Sequence, residues 1–537
     1  MEQSDFQPQD TPYQPYLPTN AEPPVVPAQP PRRTADRRDF TFALLLAVLS
    51  VLCADSYLWG GAGLAAGICT IALFAVSAGY LLQKRKALTF YGCFCAAAYL
   101  ACAASLFLTD SIKLFTIAAM FLLSTVAMLE LMQLRSSRDG GYRCIGDVCY
   151  ALFALTFGKL SGTCRALFRG QADGGAPRGR RVGGILLGLL ISVPVLLVLI
   201  PLLMSSDAAF SSIVRRLNTQ SFSEISSAVL IGAAVFLLVF SRLFSLPEAS
   251  RKAAAAPSAQ GVSIGILLSF LSAISAVYLL YLLSQLAYFF NAFSGLLPKS
   301  FTVAEYARRG FFEMTLICII NLVIIFIINL ISPKKGGSAV LSVRLFSLFL
   351  CVFSLLLAAT SASKIFLYIN RFGMTRLRVC TLVFIVFLTV LLFAVILRLF
   401  RKKVPYMKIA VFTATLLFLG SVFGNVDRVI AAYNVGSYQS GRLSSIDMDT
   451  LADLHSSTAV PYLLELTDDA SPEVAQRARE LLTFRADTLF NITVTERTAQ
   501  ITGNRGDWRA WNLTTSQARQ LLREHFTAYY QIEIPQQ

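Results

Sequence analysis

The sequence predicts an all-α polytopic membrane bundle of about 11 transmembrane helices, with a small, mainly helical C-terminal soluble domain. Three observations lead to that class. Apolar stretches of about 20 residues recur, each long enough to cross roughly 30 Å of hydrocarbon as a helix. The 537 residues are 55% hydrophobic and 15% charged, too apolar for an ordinary soluble protein. Charge is also divided along the chain. Residues 1–424 carry 37 Lys+Arg against 17 Asp+Glu, whereas residues 425–537 carry 10 Arg, no Lys and 14 Asp+Glu.

In chain order, residues 1–39 read as a disordered, Pro-rich cytoplasmic tail, with nine prolines between Pro8 and Pro31. Arg32, Arg33, Arg37 and Arg38 precede the first apolar run. That order resembles a signal peptide, but the long tail before it favours an uncleaved first helix. Residues 40–134 hold four expected spans, at 40–58, 61–82, 87–108 and 112–134. Residues 135–181 form a basic cytoplasmic loop. Within it Asp147, Lys159, Arg165 and Arg169 interrupt the apolar pattern of 142–168, which reads as an amphipathic helix at the interface rather than a twelfth span. Residues 182–424 form a seven-helix membrane core, with spans at 182–204, 224–243, 261–290, 311–332, 340–368, 379–397 and 407–424. Pro194 and Pro201 are expected to kink the first of these.

The alternating loops set the orientation. The N-terminal flank and loops 83–86, 135–181, 242–260, 333–344 and 398–408 hold 27 Lys+Arg, and the other set, 58–61, 109–113, 205–223, 291–309 and 364–378, holds 10. Positive charge is retained inside. The N-terminus is therefore expected in the cytoplasm and residues 425–537 outside the membrane.

The extracytoplasmic domain reads as mainly helical. Ser471 caps a helix that opens with Pro472 and Glu473, Leu489–Val494 alternates as a short strand, and 503–506 reads as a turn. Thr514 with Gln517 fits a capping box ahead of a helix to about Phe526.

The net charge of +16 does not indicate nucleic acid, because the basic residues sit in short segments between apolar runs. All 11 Cys precede residue 381, so the C-terminal domain has no disulfide framework. The Cys93/Cys95 and Cys144/Cys149 spacings are not complete metal motifs, and no cofactor or metal is expected. Neither a nucleotide fingerprint nor a nucleophile elbow occurs. Asp468 and Asp469 read as a solvated acidic turn. Of the polar residues within spans, Asp55, Glu130 and Lys364 fall near ends, whereas Asn321 and Asn329 share a helix face and can join helices by hydrogen bonds.

Four segments are unusually polar for the membrane boundary or the tail: AEYARRGFFE (304–313), NRFGMTRLR (370–378), NVDRVIAAYN (425–434) and DWRAWNL (507–513). Taken in order, the first three resemble bacterial polytopic membrane proteins grouped as domain of unknown function 4173, with 4153 as a relative. The resemblance covers roughly residues 180–515 and implies an architecture without a mechanism.

By the expected topology these segments lie at the outer face. Arg308, Arg309, Arg371, Arg376 and Arg378 would then form a basic cluster where basic residues are normally scarce. Paired guanidinium N–H groups hold phosphate or carboxylate, which makes the cluster a candidate site for an anionic ligand or lipid head group. Glu305, Glu313, Asp427, Asn370 and Asn425 would complete its polar set. The competing structural reading is an ion-pair network that docks the loops and the C-terminal domain onto the spans. In function, the sequence favours a non-enzymatic ligand-binding, sensing or transport-type protein in the bilayer. The alternatives are a membrane enzyme acting on a lipid-linked substrate, for which only Glu305, Glu313 and Asp427 are available, and a membrane scaffold.

Overall fold

Apolar helices and polar connections alternate through most of the structure, a computed structural model. It describes residues 37–61, 63–83, 89–110, 113–131, 143–158, 220–252, 263–293, 311–331, 338–401, 404–454, 457–494, 499–506 and 508–530, with single positions 199, 203, 205 and 206. The Pro-rich tail and nearly all of the expected span at 182–204, with Pro194 and Pro201, lie outside these residues. Eight described helices are long and apolar enough to cross a membrane, and shorter apolar helices cover 115–131 and 313–329. These ten fall on ten of the expected spans, and the chain is a multi-pass membrane protein.

The first bundle contains α1 (Arg37–Leu58), α2 (Leu64–Leu82), α3 (Phe90–Leu108), α4 (Lys113–Leu131), the short α5 (Arg143–Cys149) and α6 (Gln220–Lys252). In lipid, helices associate through close packing and buried hydrogen bonds rather than by escaping water. Here Phe42 stacks on Tyr80 at 4.0 Å. The Tyr80 hydroxyl donates to the fully buried Asp39 at 2.8 Å, tying α2 to α1.

The second bundle contains α7 (Ile264–Phe293), α8 (Phe311–Ile331), α9 (Ser338–Phe372), α10 (Arg376–Phe400) and α11 (Tyr406–Phe423). Asn321 joins three of them as expected, accepting from Tyr278 at 2.7 Å and donating to Ser354 at 2.9 Å. Asn329 instead donates to Ile325 O of its own helix. The two bundles meet at α11. Phe412 lies 4.7 Å from Phe94, and Lys408 pairs with the buried Glu130 at 3.1 Å.

The described residues between Val426 and Tyr530 build a separate core. It uses α12 (Val426–Gln439), α13 (Met448–Asp453), α14 (Val460–Glu465), α15 (Pro472–Leu489), α16 (Leu513–Glu524), α17 (Phe526–Tyr529) and a hairpin of β1 (Phe490–Val494) and β2 (Ala499–Asn504). Leu463, Leu482, Phe490, Leu522 and Tyr529 are buried at its centre.

Local readings differ from the structure where a local signal met a tertiary one. The helix expected to end near 243 runs to Lys252, so Arg242 is buried rather than in a loop. Its guanidinium donates to Thr125 at 2.7 Å and lies over Phe121. The antiparallel partner of β1 absorbs 503–504, and the chain turns at Gly506 instead. Asn512, not Thr514, caps α16, accepting from Thr515 N at 2.9 Å. Ser471 stands at the N-cap of α15 without a capping hydrogen bond. Within 142–168, α5 passes into a π turn at Tyr150–Ala154, and Ala151 and Leu155 are buried in the first bundle. Residues 159–168 lie outside the described set.

Candidate functional site

The turn between α9 and α10 carries four of the expected site residues and is stitched to the start of α12. Gly373 takes φ +77, a left-handed conformation that reverses the chain, and a Cβ there would meet Asn434 Oδ1 at 2.7 Å. Asn434 works as a surrogate strand. Its Oδ1 accepts from Met374 N at 2.6 Å, and its Nδ2 donates to Met374 O at 2.9 Å. Thr375 caps α10, and Asn425, at φ +48, caps α12. Asn425 Oδ1 accepts from Arg428 N at 3.3 Å and from Thr458 Oγ1 at 3.4 Å.

Charge follows this backbone frame. Arg376 donates through Nε and Nη2 to the two oxygens of Asp427, each at 2.6 Å, and Asp427 is fully buried. The two-pronged geometry matches a planar guanidinium to a carboxylate. Arg378 donates to the carbonyls of Phe372 and Gly373 and lies 4.2 Å over the Tyr368 ring, which closes the end of α9. Asn370 accepts from the Tyr433 hydroxyl at 3.2 Å. Arg371 is exposed on the last turn of α9, and Glu313 is exposed on the first turn of α8, in electrostatic reach of Lys364. Glu305, Arg308 and Arg309 lie outside the described residues.

The sequence reading passed over a second cluster on the same end of the molecule. Asp110, between α3 and α4, accepts from Ser457 N at 3.0 Å, Ser457 Oγ at 2.9 Å and Thr514 Oγ1 at 3.1 Å. Arg485 donates to Leu454 O nearby. Burial lowers the Arg485 pKa, and the carboxylates of Asp110 and Asp427 pull it the other way. The one available signal was a lone acid in the short 109–113 loop. A third attachment joins Asp55 to Arg509 at 2.6 Å, beside a backbone bond from Leu64 N to Trp511 O at 3.0 Å. Gly63 permits that approach, since a Cβ there would run into the Ala510 backbone and lie 2.8 Å from Trp511 O. Loops 58–61, 109–113 and 364–378, which the charge count grouped on one side, therefore all meet residues 425–537.

Asp469 accepts from Tyr438 at 3.0 Å and from Ser471 N at 2.9 Å, the bonding of a structural turn. No group of three or more His, Cys, Asp or Glu able to hold a metal ion occurs among the described residues.

A family model described as a domain of unknown function, DUF4153, matches residues 68–466. It is the relative named beside 4173 by the sequence resemblance, and it begins in the second span rather than near residue 180. No curated protein and no solved structure matches the chain.

Proposed function

The chain belongs to the DUF4153 family, and from that premise we propose a non-enzymatic receptor-type membrane protein with an anion site beside its docked C-terminal domain. The observation that carries the reading is the division of labour along the 370–378 turn. Arg376 and Arg378 are engaged by Asp427, backbone carbonyls and Tyr368, while Arg371 is exposed on the same turn. Arg308 and Arg309 immediately precede α8, whose start lies at the end of the bundle where α9 finishes, as the Glu313–Lys364 approach indicates. In this reading Arg371, Arg308 and Arg309 take the phosphate or carboxylate of a ligand or lipid head group. Asn370 and Asn425 support the polar rim, with Glu305 and Glu313 at its edge. Arg376 and Asp427 hold the wall, and Arg378 fixes the turn. Attachment of the C-terminal region at three places, through Asp427, Asp110 and Asp55, suits sensing or scaffolding better than the repeat-related, broken helices of a transporter.

The site faces outward if the loop charges set the topology. A Thr502→Cys variant in intact cells should then react with a membrane-impermeant thiol reagent above the background of the native cysteines. Labelling only after lysis would overturn the orientation.

For the site itself, short-chain phosphatidylglycerol and inorganic phosphate are titrated against purified protein in detergent. Arg371→Gln should weaken binding without lowering thermal stability, because an exposed Arg does not support the fold. Unchanged binding would remove the site and leave an ion-pair scaffold.

A further inference from the structure

We propose that a cleft at the end of the second bundle opposite the C-terminal domain binds an anionic phospholipid, its acyl chain between α8, α10 and α11 and its phosphate on Arg398. The cleft has a volume of about 300 Å³, the lower end of the usual range for ligand pockets. Leu322, Phe326 and Leu391 supply apolar walls, and Asn329, Arg398 and Tyr406 supply its polar groups. The polar three come from the end of α8, the end of α10 and the start of α11, so they share one end of the bundle. An apolar slot closed by a polar rim is the shape of a chain with a head group.

Charge identifies the head group. Arg398 is half-buried, donates to Val404 O at 3.1 Å and has its guanidinium 5.9 Å from the Tyr406 ring centre. Among the described residues it makes no ion pair, unlike Arg376, Arg509 and Lys408. The sequence explains why. Residues 264–423 carry 15 Lys+Arg and 2 Asp+Glu, and those two, Glu305 and Glu313, precede or open α8 at its other end. No acid occurs anywhere from 314 to 426. Across the bundle boundary Glu130 is already paired with Lys408 and accepts from Thr89. The loops on either side, 332–337 and 401–404, add only Lys and Arg to the charge. A cation beside an apolar cleft favours a counter-ion, and the described helices of the second bundle offer no acid at this end. Lipid phosphate is the anion that a membrane supplies at that depth, and basic pockets between membrane helices hold such head groups.

The test titrates phosphatidylglycerol and phosphatidylcholine of identical chains against the full-length protein in neutral detergent, with bound lipid counted by native mass spectrometry. The native protein should prefer phosphatidylglycerol about fivefold, the increment of one basic residue facing an anionic head group. Arg398→Gln should abolish the preference. Arg344→Gln, which removes an exposed charge from the start of α9, should keep it. Leu391→Trp, which fills the cleft and leaves Arg398 intact, should reduce binding of both lipids and decides the matter if Arg398→Gln does not fold. Equal binding of the two lipids would overturn the proposal. So would equal loss in the Arg344 and Arg398 variants, or unchanged binding in Leu391→Trp. Preference lost in Arg371→Gln and kept in Arg398→Gln would place the lipid at the other end of the bundle and also overturn it.

Discussion

The seam under residues 425–537 and the cleft at Arg398 treat a basic side chain in opposite ways. At the end that carries residues 425–537, Arg376 meets Asp427 and Arg509 meets Asp55, each at 2.6 Å, while Asp110 gathers hydrogen bonds from Ser457 and Thr514. At the other end Arg398 faces an apolar cleft with no acid paired to it among the described residues. The acids come from both sides of the seam, Asp427 from the C-terminal region and Asp55 and Asp110 from the first bundle, whereas residues 314–424 hold no Asp or Glu. Chain connectivity fixes which end of the second bundle carries the C-terminal domain, since α11 ends at Phe423 and α12 starts at Val426. At the far end Lys408 takes Glu130, and Arg398 has no ion-pair partner among the described residues.

That contrast can be broken by experiment. The largest effect is expected for Arg376→Gln, which removes the two-pronged guanidinium from the fully buried Asp427. Loss of one member of a buried pair costs about 3–5 kcal/mol. Thermal unfolding in detergent should show a large fall that Asp427→Asn on the same chain partly restores. A loss below about 1 kcal/mol would mean that the seam does not hold the domain.

Asp110→Ala comes next. It strips the acceptor from Ser457 N and three hydroxyls, and groups left unsatisfied there cost about 1–3 kcal/mol. Limited proteolysis should cut the 455–456 and 507–511 segments faster than in the native protein. Unchanged cleavage would confine docking to the Arg376 seam.

The smallest effect belongs to Asp55→Asn. Both side chains of that pair are nearly one-third exposed, at 30% and 28%, and such pairs contribute about 0–1 kcal/mol. A shift in unfolding temperature that shrinks as salt rises is expected. A larger, salt-independent loss would show that Asp55 is as structural as Asp427.

Much of this was legible residue by residue. Ten of the expected spans coincide with apolar helices, because hydropathy over about 20 residues is a local property of the chain. The polar segments 370–378 and 425–434 stood out for the same reason, and they face each other in the structure. Capping and strand pairing were less legible. Thr514 had the right side chain for a cap, but Asp110 holds its hydroxyl and Asn512 takes the cap position. The second strand, Ala499–Asn504, has a mixed pattern that makes sense only beside Phe490–Val494.

By itself, then, the sequence determined the membrane class, the positions of the helices and the sorting of loops into two sets, because each follows from the apolar or basic character of a short stretch. Only the tertiary structure decided which charge meets which. Arg376 and Asp427 are 51 residues apart, Ser457 and Asp110 347, and Arg509 and Asp55 454. An Arg looks the same in sequence whether it is paired, stacked on a ring or facing a cleft. Its partner is fixed by packing between helices that are distant in the chain, and that packing also spends Arg376 on Asp427 while leaving Arg371 exposed.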